Sequence, residues 1–170
     1  MIRFGLAVAT VGLLAAVPAV ASTRAYPDRR VSGHGIMISL PASWHGRIYR
    51  RPGGLPILQA GNLPLPRDDD DVGTAAVRTM RRTNVFIVLL ESARAGGGFS
   101  YPVAKLPIRI RRPDFLPLFK GVPPAHAFAR RLFSLRSRRF QLWVQFGIRP
   151  TPVALIHDAN RVLATLRITR

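Results

Sequence analysis

Four histidines, a run of four aspartates and a set of arginine clusters are the residues of this chain whose types could do chemistry. His34, His45, His126 and His157 stand far apart, and no pair has the i, i+4 spacing around a Glu that a helical zinc site requires. Asp68 to Asp71 supply half of the eight acids. A dedicated calcium loop would alternate its ligands with Gly and end in a bidentate Glu, which this run does not do. The run reads as a solvated loop whose negative charge favours the helix that follows, through the orphan N–H groups at its start. The other acids are Asp28, Glu91, Asp114 and Asp158, a thin supply for a paired-carboxylate hydrolase. An enzyme would therefore have to gather His45 or His126 with Asp114 or Glu91 in a deep pocket, and a secreted hydrolase of that kind is the alternative reading. No G-x-S-x-G elbow is present, and the glycines at 53–54 and 96–98 lack the Lys and Ser or Thr of a phosphate loop. No catalytic residue, metal ligand or cofactor is assigned.

Charge is the unusual property. The chain has 26 basic residues, of which two are Lys, against 8 acids, a formal charge of +18. The arginines come in clusters: Arg47, Arg50 and Arg51; Arg78, Arg81 and Arg82; Arg109, Arg111 and Arg112; Arg130 and Arg131; Arg136, Arg138 and Arg139. Guanidinium forks pair bidentately with phosphate and carboxylate, so an anionic envelope polymer or an anionic membrane surface is the expected partner. The candidate binding residues are Arg47, Arg50, Arg51, Arg109, Arg111, Arg112, Arg136, Arg138 and Arg139, with Trp44 as an aromatic contact. Tyr49 and Trp143 are further aromatic contacts if exposed; Trp143 otherwise belongs to a second buried sheet face under the last helix. The competing explanation is compositional, since a GC-rich genome favours Arg over Lys and a scattered basic surface keeps a protein soluble. Sequence-specific nucleic-acid recognition is not expected, because no binding motif for it occurs.

The elements that position these groups begin with a leader. Arg3, the apolar stretch Phe4 to Val17 and the small residues Ala19-Val20-Ala21 have the form of a secretory signal cleaved after Ala21. Its removal takes Arg3 with it and lowers the charge from +18 to +17. An uncleaved N-terminal anchor is the alternative. The expected location is secreted or extracytoplasmic, and the lack of Cys leaves stability to packing. Residues 22–32 read as a flexible lead-in and residues 33–170 as a single monomeric domain.

Within that domain, Ile36, Ile38 and Leu40 alternate with Met37 and Ser39 as a half-buried strand, and Gly46 to Arg50 returns as the second strand of a hairpin. Pro56 to Ala60 adds a short strand, residues 61–71 a loop, and Gly73 to Met80 a short helix. The all-apolar run Val85 to Leu90 is a central strand buried on both faces, followed by a loop at residues 96–98. Ile108 and Ile110 alternate with arginines between Pro107 and Pro113, which suggests an edge strand. Ala127 to Leu135 and Arg139 to Phe146 form a hairpin turning at 136–138. Thr151 caps a last helix with Pro152 first and an apolar stripe through Leu155, Ala159, Val162 or Leu163, and Leu166, ending near Arg167. The fold class is α+β: a mainly antiparallel sheet flanked by helices, with the C-terminal helix packed on it.

Two resemblances attach to particular segments. Gly35 to Trp44 resembles the strand, Pro, small residue and Trp that open PsbP-like proteins and related exported lipoproteins; the hairpin Phe128 to Phe146 with a last helix running into Asn160 to Ile168 is similar to their end. This resemblance implies an antiparallel sheet flanked by helices and an accessory or binding role rather than catalysis. The segments Trp44 to Tyr49, Gly54 to Ala60 and Ala125 to Arg131 resemble uncharacterised exported proteins of high-GC actinobacteria. Neither resemblance carries a functional residue to this chain.

Overall fold

A run of apolar residues without alternation has to be covered on two sides, and the molecule is built around such a run. The computed structural model describes residues 29–93, 99–117 and 121–169; the expected signal, residues 22–28 and the glycine loop at 96–98 lie outside them. In chain order the elements are β1 (Arg29–Gly33), β2 (Ile36–Leu40), β3 (His45–Tyr49), β4 (Ile57–Gly61), α1 (Thr74–Arg78), β5 (Val85–Ser92), β6 (Phe115–Leu116), β7 (Ala127–Leu135), β8 (Arg138–Phe146), α2 (Val153–Leu163) and β9 (Arg167–Ile168). Six strands form one antiparallel sheet in the order β3-β4-β5-β8-β7-β6, and three form a smaller one, β1-β2-β9. The fold is α+β, as expected.

β5 lies inside the larger sheet, paired with β4 and β8. Its alternate residues serve two cores. Val85, Ile87 and Leu89 join Leu142, Val144 and Phe146 of β8, Ile36, Ile38 and Leu40 of β2, and Ala159, Val162 and Leu163 of α2. Phe86 and Val88 face the other way, against Ala76, Val77 and Met80 around α1. The smaller sheet and α2 therefore cover one face of the larger sheet, and α1 covers the other. The turn of the β7–β8 hairpin is tight, with Arg136 at φ 53° and Ser137 at φ 66°, the left-handed pair that suits a two-residue connection.

Five expectations are corrected. The lead-in ends earlier than Ser32, because residues 29–32 belong to β1, whose five residues pair with β2 from Arg29 opposite Leu40 to Gly33 opposite Ile36. β2 and β3 do not make a hairpin: β1 and β9 flank β2, while the turn closed by Trp44 N–H on the Pro41 carbonyl (2.9 Å) sends the chain into the other sheet, where β3 pairs with β4. Ile108 and Ile110 form no strand. Both are buried, and the Asn160 side chain of α2 takes the place of a strand neighbour: its Oδ1 accepts from Ile110 N–H (2.7 Å) and its Nδ2 donates to the Ile110 carbonyl (3.0 Å). Finally, α2 stops at Leu163 instead of running to Arg167. The Thr165 hydroxyl there accepts from Ser39 N–H at 3.0 Å, docking the chain on β2 so that Arg167 and Ile168 can pair with it. The helix also begins without a Thr151 cap; that hydroxyl donates to the Ile148 carbonyl.

Candidate anion-binding surface

The arginine clusters divide into guanidiniums that hold the fold and guanidiniums that face solvent. Arg47 on β3 lies opposite Gln59 on β4, and its Nε and Nη2 both donate to Gln59 Oε1, at 3.0 and 2.7 Å, while Nη1 reaches the carbonyls of Pro66 and Arg67. Arg51 donates to Asp71 Oδ1 and to the Asp69 carbonyl. Arg138 is engaged most fully: it donates to both Glu91 oxygens and to the carbonyls of His34, Gly35 and Thr169. These three expected binding residues are structural crosslinks, because each ties its strand or turn to a distant segment of the chain.

Trp44 is a further correction. It is 6% exposed, in the core beside β2, and presents no contact surface. Trp143 is half-buried in the second core, edge-on to Phe128 at 5.6 Å, and α1 rather than α2 covers that face. Tyr49 is half-buried under the Arg47 guanidinium, with its hydroxyl pKa raised first by burial and then by Asp71.

The remaining expected residues do not form one patch. Arg50 follows β3 and Arg139 lies on β8, three strands apart in the sheet order and so separated by about 14 Å at the usual strand spacing. Arg136 is exposed at the hairpin tip. Arg109, Arg111 and Arg112 are different. The irregular segment that carries them runs past the outer edge of β7, where Arg131 Nη1 donates to the Arg109 carbonyl at 2.7 Å. Arg111, Arg130 and Arg131 line one shallow depression there with Asp114, Ser100 and Leu132. Arg130 and Arg131 leave β7 on opposite faces and so straddle its edge. Arg130 stacks over Phe99 at 5.4 Å. On its outer side β7 is paired at Phe128 and Ala129 by β6 and at Ser134 by Val103, which leaves the arginine-bearing stretch between them without a strand partner among the described residues.

Two sequence clusters about twenty residues apart thus converge on one edge. Arg130 and Arg131 were visible as a basic pair, but not as site residues, because nothing local says that the segment through Ile108 and Ile110 comes to lie beside them. The signal available was the proline pair at 107 and 113, which marks a segment that accompanies a sheet edge without joining it.

The acidic run has a structural task. Asp70 accepts from Thr74 N–H (2.8 Å) and Val72 N–H (3.2 Å), and Asp69, 6% exposed, accepts from Ala75 and Ala76 N–H at 2.8 Å each. These carboxylates cap the first N–H groups of α1 in place of Gly73, which precedes the helix at φ 77°. Burial raises the Asp70 pKa, but bonds from Thr74, Gly73 and Val72 together outweigh it and leave the carboxyl below its ordinary value. Among the described residues no three His, Asp or Glu side chains converge to hold a metal ion.

The acid and base groups that a hydrolase would need are dispersed. Glu91 is bonded to Arg138, and Asp114 Oδ2 accepts from Arg111 N–H at 2.7 Å. The cavity beside Trp143 and the groove beside Arg149 are lined by neither histidine nor carboxylate. Among the described residues, no helix is long and apolar enough to cross a membrane. A scan against protein-family models finds none that matches the chain, and a search of curated proteins finds no match either.

Proposed function

We propose that this chain is an exported, non-enzymatic binding protein of the cell envelope that engages an anionic polymer or an anionic membrane surface through the β7 edge. The observation that carries the reading is the convergence there of Arg111, Arg130 and Arg131, with Asp114 beside them and the Arg109 backbone held by Arg131. Like charges held together repel one another, and a polyanion with repeated phosphate or carboxylate groups relieves that repulsion while releasing its own counterions. A strand edge without a strand partner among the described residues, flanked by guanidinium forks, suits an extended chain of such groups, since the forks recognise planar or tetrahedral oxyanions bidentately. The resemblance to PsbP-like accessory proteins points the same way.

The test is binding of the purified protein to phosphatidylglycerol vesicles, a cell-wall polyanion, DNA and a neutral polymer across a salt series. Arg111→Gln, Arg130→Gln and Arg131→Gln combined are expected to weaken binding to the preferred polyanion at least tenfold. They should also flatten the log affinity against log salt plot by about 2 to 3. Arg78→Gln, Arg81→Gln and Arg82→Gln combined remove the same charge elsewhere and are expected to change affinity less than threefold. Equal loss in both variants would mean that net charge alone drives association, and the assignment to the β7 edge would be wrong.

A further inference from the structure

Two glutamines are buried in this protein, and they are treated differently by their surroundings. Gln59, 1% exposed, has every polar atom engaged: Oε1 accepts from Arg47, and Nε2 donates to the Asp70 and Asp71 carbonyls at 2.9 and 3.3 Å. Gln145 is 3% exposed, and its Oε1 is buried with no hydrogen-bond partner. It lies on β8 directly opposite Phe86 on one side and Phe128 on the other, so cross-strand neighbours offer it only rings. A buried acceptor without a donor is a standing loss that native proteins rarely keep without a use.

The same side chain lines a cavity of about 160 Å³ between the sheet and α1. Val72, Val77 and Val122 enclose it with Phe128 and Trp143, and the two rings meet edge to face at 5.6 Å. A cavity of about 150 Å³ is large enough for one benzene ring. The lining also carries the Trp143 indole N–H, the Gln145 amide nitrogen and the Thr74 hydroxyl, whose proton goes to Asp70 Oδ2 at 2.5 Å. A flat apolar body with a hydrogen-bond donor fits the space and meets the Gln145 acceptor.

We infer that this cavity binds a small aromatic ligand carrying one hydroxyl or N–H donor, of the phenol class, with the donor given to Gln145 Oε1 and the ring packed against Phe128 and Trp143. The site is separate from the arginine edge and does not depend on it.

Titrations of the purified protein with phenol and with toluene, followed by the Trp143 indole resonance and by ligand-observed NMR, test it directly. Phenol is expected to bind saturably and about tenfold more tightly than toluene, which fits the space but cannot donate. Gln145→Met keeps the side chain's length and removes its acceptor, so it should erase that preference while retaining toluene binding. Val77→Phe fills the cavity and should abolish both. Equal affinity of the unmodified protein for phenol and toluene, or no saturable signal for phenol at millimolar concentration, overturns the inference, and these two readings stand even where a variant does not fold.

Discussion

Arg138 grips Glu91 with two parallel bonds, Nε to Oε1 at 2.9 Å and Nη2 to Oε2 at 2.7 Å, across neighbouring strands of the larger sheet. Its remaining donors pass out of that sheet to the His34 and Gly35 carbonyls in the β1–β2 turn and to the Thr169 carbonyl after β9. One guanidinium therefore ties both sheets together where the β1–β2 turn and the end of β9 meet the β7–β8 hairpin. The side chains of Arg138 and Glu91 are only 16% and 14% exposed, so bonds between them are weakly screened.

Replacing Arg138 by Met is expected to destabilise the protein by about 2 to 4 kcal/mol, because it leaves Glu91 nearly buried and unpaired along with several carbonyls. Arg138→Lys should recover little, since an ammonium cannot reproduce the fork. Urea unfolding gives the stability change, and a double-mutant cycle with Glu91→Gln separates the ion pair from the carbonyl bonds. Affinity for polyanions should remain within threefold of the unmodified protein; a tenfold loss in a folded Arg138→Met variant would return this residue to the binding surface.

The contrast between Arg138 and Arg130 explains what was legible in the sequence. Periodicity and turn residues disclosed β2, β4, β5, the β7–β8 hairpin and both helices, because those signals are local. They did not disclose β1 or β9, whose five and two residues are polar or short and exist as strands only because β2 has edges to fill. The same limit governs the arginines. Within one cluster Arg136 faces solvent and Arg138 is enclosed, a distinction set by a carboxylate 47 residues away on β5. Ile108 and Ile110 show it again: their alternation is real and both are buried, yet a helix side chain, Asn160, pairs with the Ile110 backbone where a strand was expected.

Asp69 and Asp70 predict a second measurable effect. Each satisfies N–H groups at the start of α1, so Asp69→Ala and Asp70→Ala are each expected to cost about 1 to 2 kcal/mol, as loss of a helix cap does. The Asp70 part has a defined pH dependence. Its folded pKa lies below the unfolded value, so the stabilisation is complete above the unfolded pKa and is lost as pH falls through the lower, folded one. Thermal unfolding of the unmodified protein and Asp70→Ala across pH 7 to about 2 should show a gap in Tm that persists to moderately acidic pH and closes only at the acid end. A gap already closed at pH 5 would contradict this assignment.

Gly147 marks a crossing of two backbones. A Cβ there would lie 1.8 Å from the Arg81 carbonyl oxygen and 2.6 Å from its carbon, while Gly147 N–H donates to the Asn84 carbonyl at 3.1 Å. Backbone cannot rotate away as a side chain can, so Gly147→Ala must push the 81–84 turn off the end of β5. A loss of about 3 kcal/mol or more is expected by chemical denaturation, against about 1 kcal/mol for Gly53→Ser, whose added Cβ would meet no atom within 4 Å and would cost only the strain at φ 70°. Comparable small losses in the two variants would mean that the crossing yields.

His126 supplies the last prediction. It is 8% exposed, its Nδ1 is buried without a hydrogen-bond partner, and burial lowers its pKa below the ordinary 6.5. The folded protein therefore keeps the ring neutral at pH values where the unfolded chain has already protonated it. Between the two pKa values the unfolded state binds more protons, so stability rises with pH in that window and falls as the solution is acidified below about 6.5. His126→Gln removes the titration without adding a charge. Hence Tm of the unmodified protein should drop between pH 7 and pH 5 by more than that of His126→Gln. Parallel decline of the two proteins would show that His126 gains a partner on protonation and is no longer an isolated buried base, and the cause would then have to be sought among the carboxylates.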